Sequence, residues 1–179
     1  MKTALAIVFV AAFAVFSIKV KNQLTAKESP LDKVKLGEPM PDFTLPDAGG
    51  QMVKFSDVCR QNKLVMINFW ASWCTPCRME MPQLERIYAA KKSQGFTLLA
   101  VNEDSEREKA DAYLKSKPLS FPVLMDTDGA VSKQLGVKAL PTTILVGQDG
   151  KVIQVVEGME PYVQYLIDSY LQEKKNNER

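Results

Sequence analysis

The sequence predicts an α/β fold: a mixed central sheet flanked by helices, with an added N-terminal β-hairpin. Three observations predict it. Leu64-Val65-Met66-Ile67-Asn68-Phe69-Trp70 and Phe96-Thr97-Leu98-Leu99-Ala100-Val101 are near-continuous apolar runs, the pattern of central strands buried on both faces. A helical segment lies between them, and further helical and hairpin patterns follow, the order expected of a sheet with helices packed on it. The last helix has the clearest period in the chain, with Met159, Val163, Leu166, Ile167, Tyr170 and Leu171 on one face.

In chain order, Thr3 to Ile18 (TALAIVFVAAFAVFSI) carries no charge and follows Lys2 closely. As a helix this run rises about 24 Å, short of the roughly 30 Å hydrocarbon core, but Val20 with Lys19 and Lys21 reaching to the interface completes a span. Residues 1–20 are read as an uncleaved single-pass membrane anchor. The alternative is a signal peptide cut at Ala12-Phe13-Ala14, which would leave the apolar terminus Val15-Phe16-Ser17-Ile18. Lys19, Lys21 and Lys27 argue by charge bias for a cytoplasmic C-terminal side. The signal-like terminus argues for the opposite, and the domain is placed on the extracytoplasmic side of the cell membrane. Residues 21–35 are polar and Lys-rich and read as a tether, 36–175 as the folded domain and 176–179 as a tail.

Asp42-Phe43-Thr44-Leu45 and Met52-Val53-Lys54-Phe55 flank a Gly-containing loop and predict the opening hairpin. Ser56 to Arg60 predicts one helical turn. After the first apolar run, a helix from Cys74 to about Lys92 carries Leu84, Ile87 and Tyr88 inward, with Pro82 expected to kink it. Ser105 with Glu108 has capping-box spacing and opens a helix to about Lys117, closed by Pro118. Phe121 to Met125 predicts a short strand, and Gly129 to Leu135 a short helix ended by Gly136. Thr142–Val146 and Lys151–Val156 predict a hairpin around Gln148-Asp149-Gly150. The segment from Glu173 to Arg179 is expected to fray.

Composition removes several function classes. A net charge of +2 with no dense Lys/Arg block gives no support for nucleic-acid binding. The chain has no histidine, which excludes Ser-His-Asp and Cys-His catalysis, histidine-ligated metals and a Cys-x-x-Cys-His haem attachment site within it. One Cys-x-x-Cys is poor support for zinc, so no metal is expected. Three cysteines are too few for a disulfide-stapled scaffold.

Two of those three stand in Trp73-Cys74-Thr75-Pro76-Cys77, directly after the first apolar run. Thiol–disulfide exchange needs an exposed thiolate and a second thiol close enough to expel a mixed disulfide. At a helix start Cys74 points toward unpaired N–H groups, which lowers its pKa, while Cys77 lies one turn inward and more buried. Cys74 is therefore assigned as nucleophile and Cys77 as resolving thiol. Thr75 and Pro76 tune the pair, and Pro76 suits an early helical position. The reversible Cys74–Cys77 disulfide is the only redox group expected. Cys59 has no cysteine near it in sequence and is read as inert packing or a partly exposed thiol, the alternative being a reactive or intermolecular role outside the cytoplasm.

With Pro82 five positions on and Leu140-Pro141-Thr142-Thr143 before a hairpin, this motif resembles the thioredoxin superfamily. The N-terminal segment, Pro41-Asp42-Phe43-Thr44-Leu45, Asn68-Phe69-Trp70, Glu80 and Phe121-Pro122-Val123 resemble more narrowly its extracytoplasmic ResA/TlpA branch, over about residues 36–172. The resemblance implies a thioredoxin-like fold and a membrane-tethered thiol-disulfide oxidoreductase. It further implies reduction of protein disulfides outside the cytoplasm, notably the cysteine pair of apocytochrome c during cytochrome c maturation. A CcdA-type membrane thiol transporter would be the electron donor.

It also implies roles for single residues. Pro141 matches the family's cis-proline, exposing the Leu140 backbone to pair with an extended substrate; otherwise it is a plain turn proline. Asn68 stands where thioredoxins usually carry a buried acid beneath the resolving cysteine, a departure the ResA branch shares. Glu80 is the replacement, linked to thiol tuning and substrate recognition, the other reading being a surface carboxylate in the first turns of a helix. Trp73 is expected to border the sulfur as a contact surface, and Trp70 to belong to the core. Two competing classes are a peroxiredoxin-like thiol peroxidase, suggested by the opening hairpin, and a non-catalytic anchored peptide-binding or assembly module.

Overall fold

The computed structural model describes residues 31–177. The expected anchor at 1–20 and the part of the tether at 21–30 lie outside the described residues. Among the described residues no helix is long and apolar enough to cross a membrane.

The chain opens with an antiparallel pair, β1 (Thr44–Pro46) and β2 (Met52–Lys54), and then runs through α1 (Phe55–Gln61), β3 (Leu64–Trp70) and α2 (Thr75–Lys91). A 3₁₀ turn at Lys92–Gln94 leads through Gly95, in the left-handed region at φ 88°, into β4 (Phe96–Asn102). After it come α3 (Arg107–Ser116), β5 (Val123–Met125), α4 (Ala130–Leu135), β6 (Thr142–Gly147), β7 (Val152–Glu157) and α5 (Val163–Asn177). The main sheet has the order β5-β4-β3-β6-β7, with β3, β4 and β5 parallel and β6 and β7 antiparallel to their neighbours. This is the α/β class with a mixed sheet and added N-terminal hairpin, and the two apolar runs are its two central strands.

Both strands are buried at every position, and the alternation of side chains across a strand divides the core in two. Leu64, Met66 and Trp70 join Met81, Leu84 and Ile87 of α2 and Val163, Ile167 and Leu171 of α5 on one face. Val65, Ile67 and Phe69 join Phe55 and Cys59 of α1 and Val131 and Leu135 of α4 on the other. Trp70 is fully buried, as expected.

Four local expectations change. The stretch read as tether is part of the fold from residue 31: Leu31 is 1% exposed and Val34 fully buried, both in the α1/α4 layer. At roughly 1.5–3 kcal/mol for each such side chain, that burial holds the segment on the domain. No capping box forms at Ser105, because Glu106 takes the N-cap position and α3 begins at Arg107, leaving Ser105 one residue too early. The inward face of the last helix begins at Val163. Met159 stands before the helix, 47% exposed, because Gly158 at φ 84° turns the chain after β7. Helix α5 continues to Asn177, through most of the segment expected to fray.

Candidate active site

Strand β3 ends at Trp70, and the turn Ala71–Trp73 brings the chain to Cys74, the N-cap of α2. Cys74 has extended backbone there, its N–H donates to Ala71 O at 3.1 Å and its own carbonyl accepts from Arg78 N at 3.1 Å. Its sulfur accepts from the Cys77 N–H at 3.3 Å, so one of the orphan donors of the helix start points at Sγ. Cys74 and Cys77 form a disulfide, with Cα atoms 5.3 Å apart. Cys77 is fully buried and Cys74 5% exposed, the ranking expected from a one-turn offset. Thr75 and Pro76 form the exposed first turn of α2, where a missing proline N–H leaves no helical bond unmade. Trp73 is 66% exposed immediately before the sulfur. Helix α2 passes through Pro82 and runs on to Lys91.

Beneath the pair the sheet contributes a polar cluster. Asn68 is fully buried in β3, opposite Thr143 of β6. Its Nδ2 donates to Glu80 Oε1 at 2.8 Å and to Thr143 Oγ1 at 3.1 Å. Glu80 sits on α2, 8% exposed, so the reading as a surface carboxylate is incorrect: three residues past Cys77 the helix faces inward. Burial pushes its carboxyl up to about 7, against the opposing pull of the Asn68 hydrogen bond. Asn68 Oδ1 has no hydrogen-bond partner among the described residues.

A second network, missed from sequence, holds the loop that presents Cys74. Asp104, 1% exposed, follows β4. Its Oδ2 accepts from Ser72 N at 2.9 Å and from Asn102 Nδ2 at 2.8 Å, and its Oδ1 from Ser72 Oγ at 2.9 Å. Asn102 Oδ1 in turn accepts from Asp104 N at 3.1 Å, and Glu103 N donates to Trp70 O at 2.9 Å. The segment from Trp70 to Ser72 is thus tied to the end of β4 on both sides. Glu103 itself is pushed up to about 7, first by burial and then by the nearby charge of Asp126. The available signal was positional: polar residues at the carboxyl ends of adjacent parallel strands border the crevice where α/β sheets do their chemistry.

Leu140 and Pro141 complete this end of the sheet. Their peptide bond is cis. Thr142 pairs with Phe69, so the two residues preceding it lie beside the exit of β3 and the turn to Cys74. The Pro141 carbonyl accepts from Gly158 N at 2.7 Å, and Thr142 Oγ1 donates to Ala139 O at 2.8 Å. Leu140 is half-buried, and its backbone N–H and C=O make no hydrogen bond among the described residues. Cys59 lies at the other end of the sheet, 4% exposed, its Sγ donating to Gly147 O at 3.1 Å.

The chain is similar to known proteins in sequence and fold. The AhpC/TSA family matches residues 36–155. The chain is 38% identical to the thiol-disulfide oxidoreductase ResA of Bacillus subtilis over 71% of its own length and 70% of that protein's. It is 35% identical to ResA of Geobacillus kaustophilus over 88% and 86%. Among solved structures, a Chlorobium tepidum protein provisionally assigned as the thiol:disulfide interchange protein DsbE superposes with a TM-score of 0.70 at 34% identity, over 78% of this chain and 97% of that one. A thiol-disulfide oxidoreductase from Bacteroides fragilis gives 0.66 at 27%, over 74% and 98%. With a disulfide capping the start of α2, the chain belongs to the AhpC/TSA family and is a thiol-disulfide oxidoreductase related to ResA.

Proposed function

We propose that the protein is a membrane-tethered reductant of protein disulfides outside the cytoplasm, with the cysteine pair of apocytochrome c as its substrate during cytochrome c maturation. A CcdA-type membrane thiol transporter returns electrons to it. The observation that carries the exchange chemistry is the placement of Cys74 Sγ at the start of α2 with Cys77 fully buried one turn behind it. In the dithiol form, Cys74 attacks one sulfur of the substrate disulfide as thiolate, and the other substrate sulfur leaves as thiolate and takes a proton. Cys77 loses its proton and attacks Cys74 Sγ, expelling the second substrate thiol and restoring the Cys74–Cys77 disulfide. Two electrons and two protons pass to the substrate. Glu80, with its carboxyl near 7, is suited to accept the Cys77 proton, and Asn68 positions it. The open backbone of Leu140 offers an extended substrate a strand to pair with, and Trp73, Thr75 and Pro76 border it.

The peroxidase alternative has less support, because the one cysteine outside the disulfide is buried and its thiol is pushed up by that burial. Measurement of the reduction potential tests the direction of flow. A value near the thioredoxin end, about −270 mV, supports a reductant, and one near −120 mV overturns it.

A further inference from the structure

The end of the sheet that carries the disulfide also carries large apolar side chains left in water. Trp73 and Met79 are each 66% exposed, Met159 47% and Tyr162 71%. Met79 stands one turn beyond Pro76 on α2, so Trp73, Pro76 and Met79 bring apolar surface from the nucleophile's own helix and loop. Met159 and Tyr162 arrive from the opposite quarter. Glu157 pairs with Thr142, and Gly158 N holds the Pro141 carbonyl, so the chain from Gly158 to the start of α5 borders Leu140. Monomeric proteins expose such a rim chiefly where a partner covers it, and methionine suits a surface that must adapt to more than one partner.

We propose that this rim selects cysteine-bearing extended segments with a large apolar side chain two residues from the cysteine. The proposal rests on the substrate reading above and deepens it. A segment paired with the Leu140 backbone is a strand, and successive side chains of a strand point to opposite faces. If its cysteine points at Cys74 Sγ, the residues two before and two after point to the same side, onto Trp73 and Met79 in one direction and Met159 and Tyr162 in the other. The residues one before and one after point away. Selectivity therefore falls at the alternate positions and is absent at the adjacent ones. The occupant is a partner's redox-active segment because the rim is continuous with the disulfide that must touch it.

The test uses the full chain, pre-reduced with a dithiol and freed of it. Short synthetic peptides carry one cysteine as a mixed disulfide with 5-thio-2-nitrobenzoate, and Leu or Asp at either the alternate or the adjacent positions. Release of the coloured thiolate together with the peptide thiol reports one complete turnover. The expected second-order rate constant is about tenfold higher for Leu than Asp at the alternate positions, with a ratio near one at the adjacent positions. In Met79→Lys and Met159→Lys, whose ammonium groups attract the Asp peptide, the alternate-position ratio falls toward one; Met79→Gln and Met159→Gln, which add no charge, lower it less. Turnover with no alternate-position preference, or equal preference at adjacent positions, overturns the rim proposal alone. Failure of the wild-type protein to turn over any of these disulfides overturns the exchange reading beneath it.

Discussion

Cys74 and Cys59 are the same residue in two settings at opposite ends of one sheet. Cys74 caps a seventeen-residue helix, so its sulfur receives an N–H that the helix cannot use. Cys59 lies within the short helix α1, where backbone donors are spent, and its thiol donates to the Gly147 carbonyl instead. Burial pushes that thiol up, disfavouring the thiolate that exchange requires. Neither cysteine is open to solvent, at 5% and 4% exposure, so accessibility of the residue as a whole does not separate them. What separates them is which way the nearest hydrogen bond runs: toward the sulfur at Cys74, away from it at Cys59.

The largest effect breaks the comparison directly. Cys74→Ser should lower insulin-disulfide reduction by at least about 10³-fold, since the proposed nucleophile is lost. Cys59→Ala should leave the rate within about twofold while costing roughly 1 kcal/mol of stability from lost packing, read by urea unfolding. Retained activity in the first variant, or its loss in the second, reverses the assignment of the two sites.

The next effect sharpens what a helix start alone supplies. Asp104→Asn keeps the shape of the side chain but replaces one acceptor facing Ser72 with a donor, so the turn before Cys74 loses a hydrogen bond at a fully buried position. A shift of a reacting atom by an ångström costs up to about a hundredfold, so a fall of about thirtyfold in the alkylation rate of Cys74 is expected in a Cys77→Ser background. Its pH midpoint should move upward as Sγ drifts from the backbone N–H of position 77, which the serine background keeps. If only the unfolding midpoint changes, Asp104 is a stability residue. A downward shift would make it an electrostatic one.

These networks also mark where sequence reading stopped. Strand β3 and helix α2 were legible because an apolar run and a Cys-x-x-Cys leave local marks, and Asn68 and Glu80 were found by resemblance to a branch with the same pair. Leu31 and Val34 were hidden because two apolar residues among lysines give no period until the α4 surface they cover is known. Asp104 was hidden for a different reason. Its partner Ser72 is 32 positions away, and only the parallel register, with Trp70 beside Asn102, brings the two loops together. Met159 was misplaced because helical spacing extends backward through residues that a glycine turn has taken out of the helix.

The smallest effect on exchange, and the finest test of the comparison, concerns burial at the two ends. At Cys59 burial moves a thiol further from use; at Glu80 it moves a carboxyl into the working range, to about 7 from an ordinary 4.5. A carboxyl raised in the fold keeps a proton that the unfolded chain has already released. Its favourable contribution is therefore complete below about pH 4.5 and is lost as pH rises toward 7. Glu80→Gln removes this titration while keeping an oxygen to accept from Asn68 Nδ2. Measured by urea unfolding of the disulfide form, the variant should gain about 3 kcal/mol on the wild type between pH 4.5 and pH 8. A stability difference that stays constant across that range would mean Glu80 titrates in the ordinary carboxyl range, too weak a base to hold the Cys77 proton.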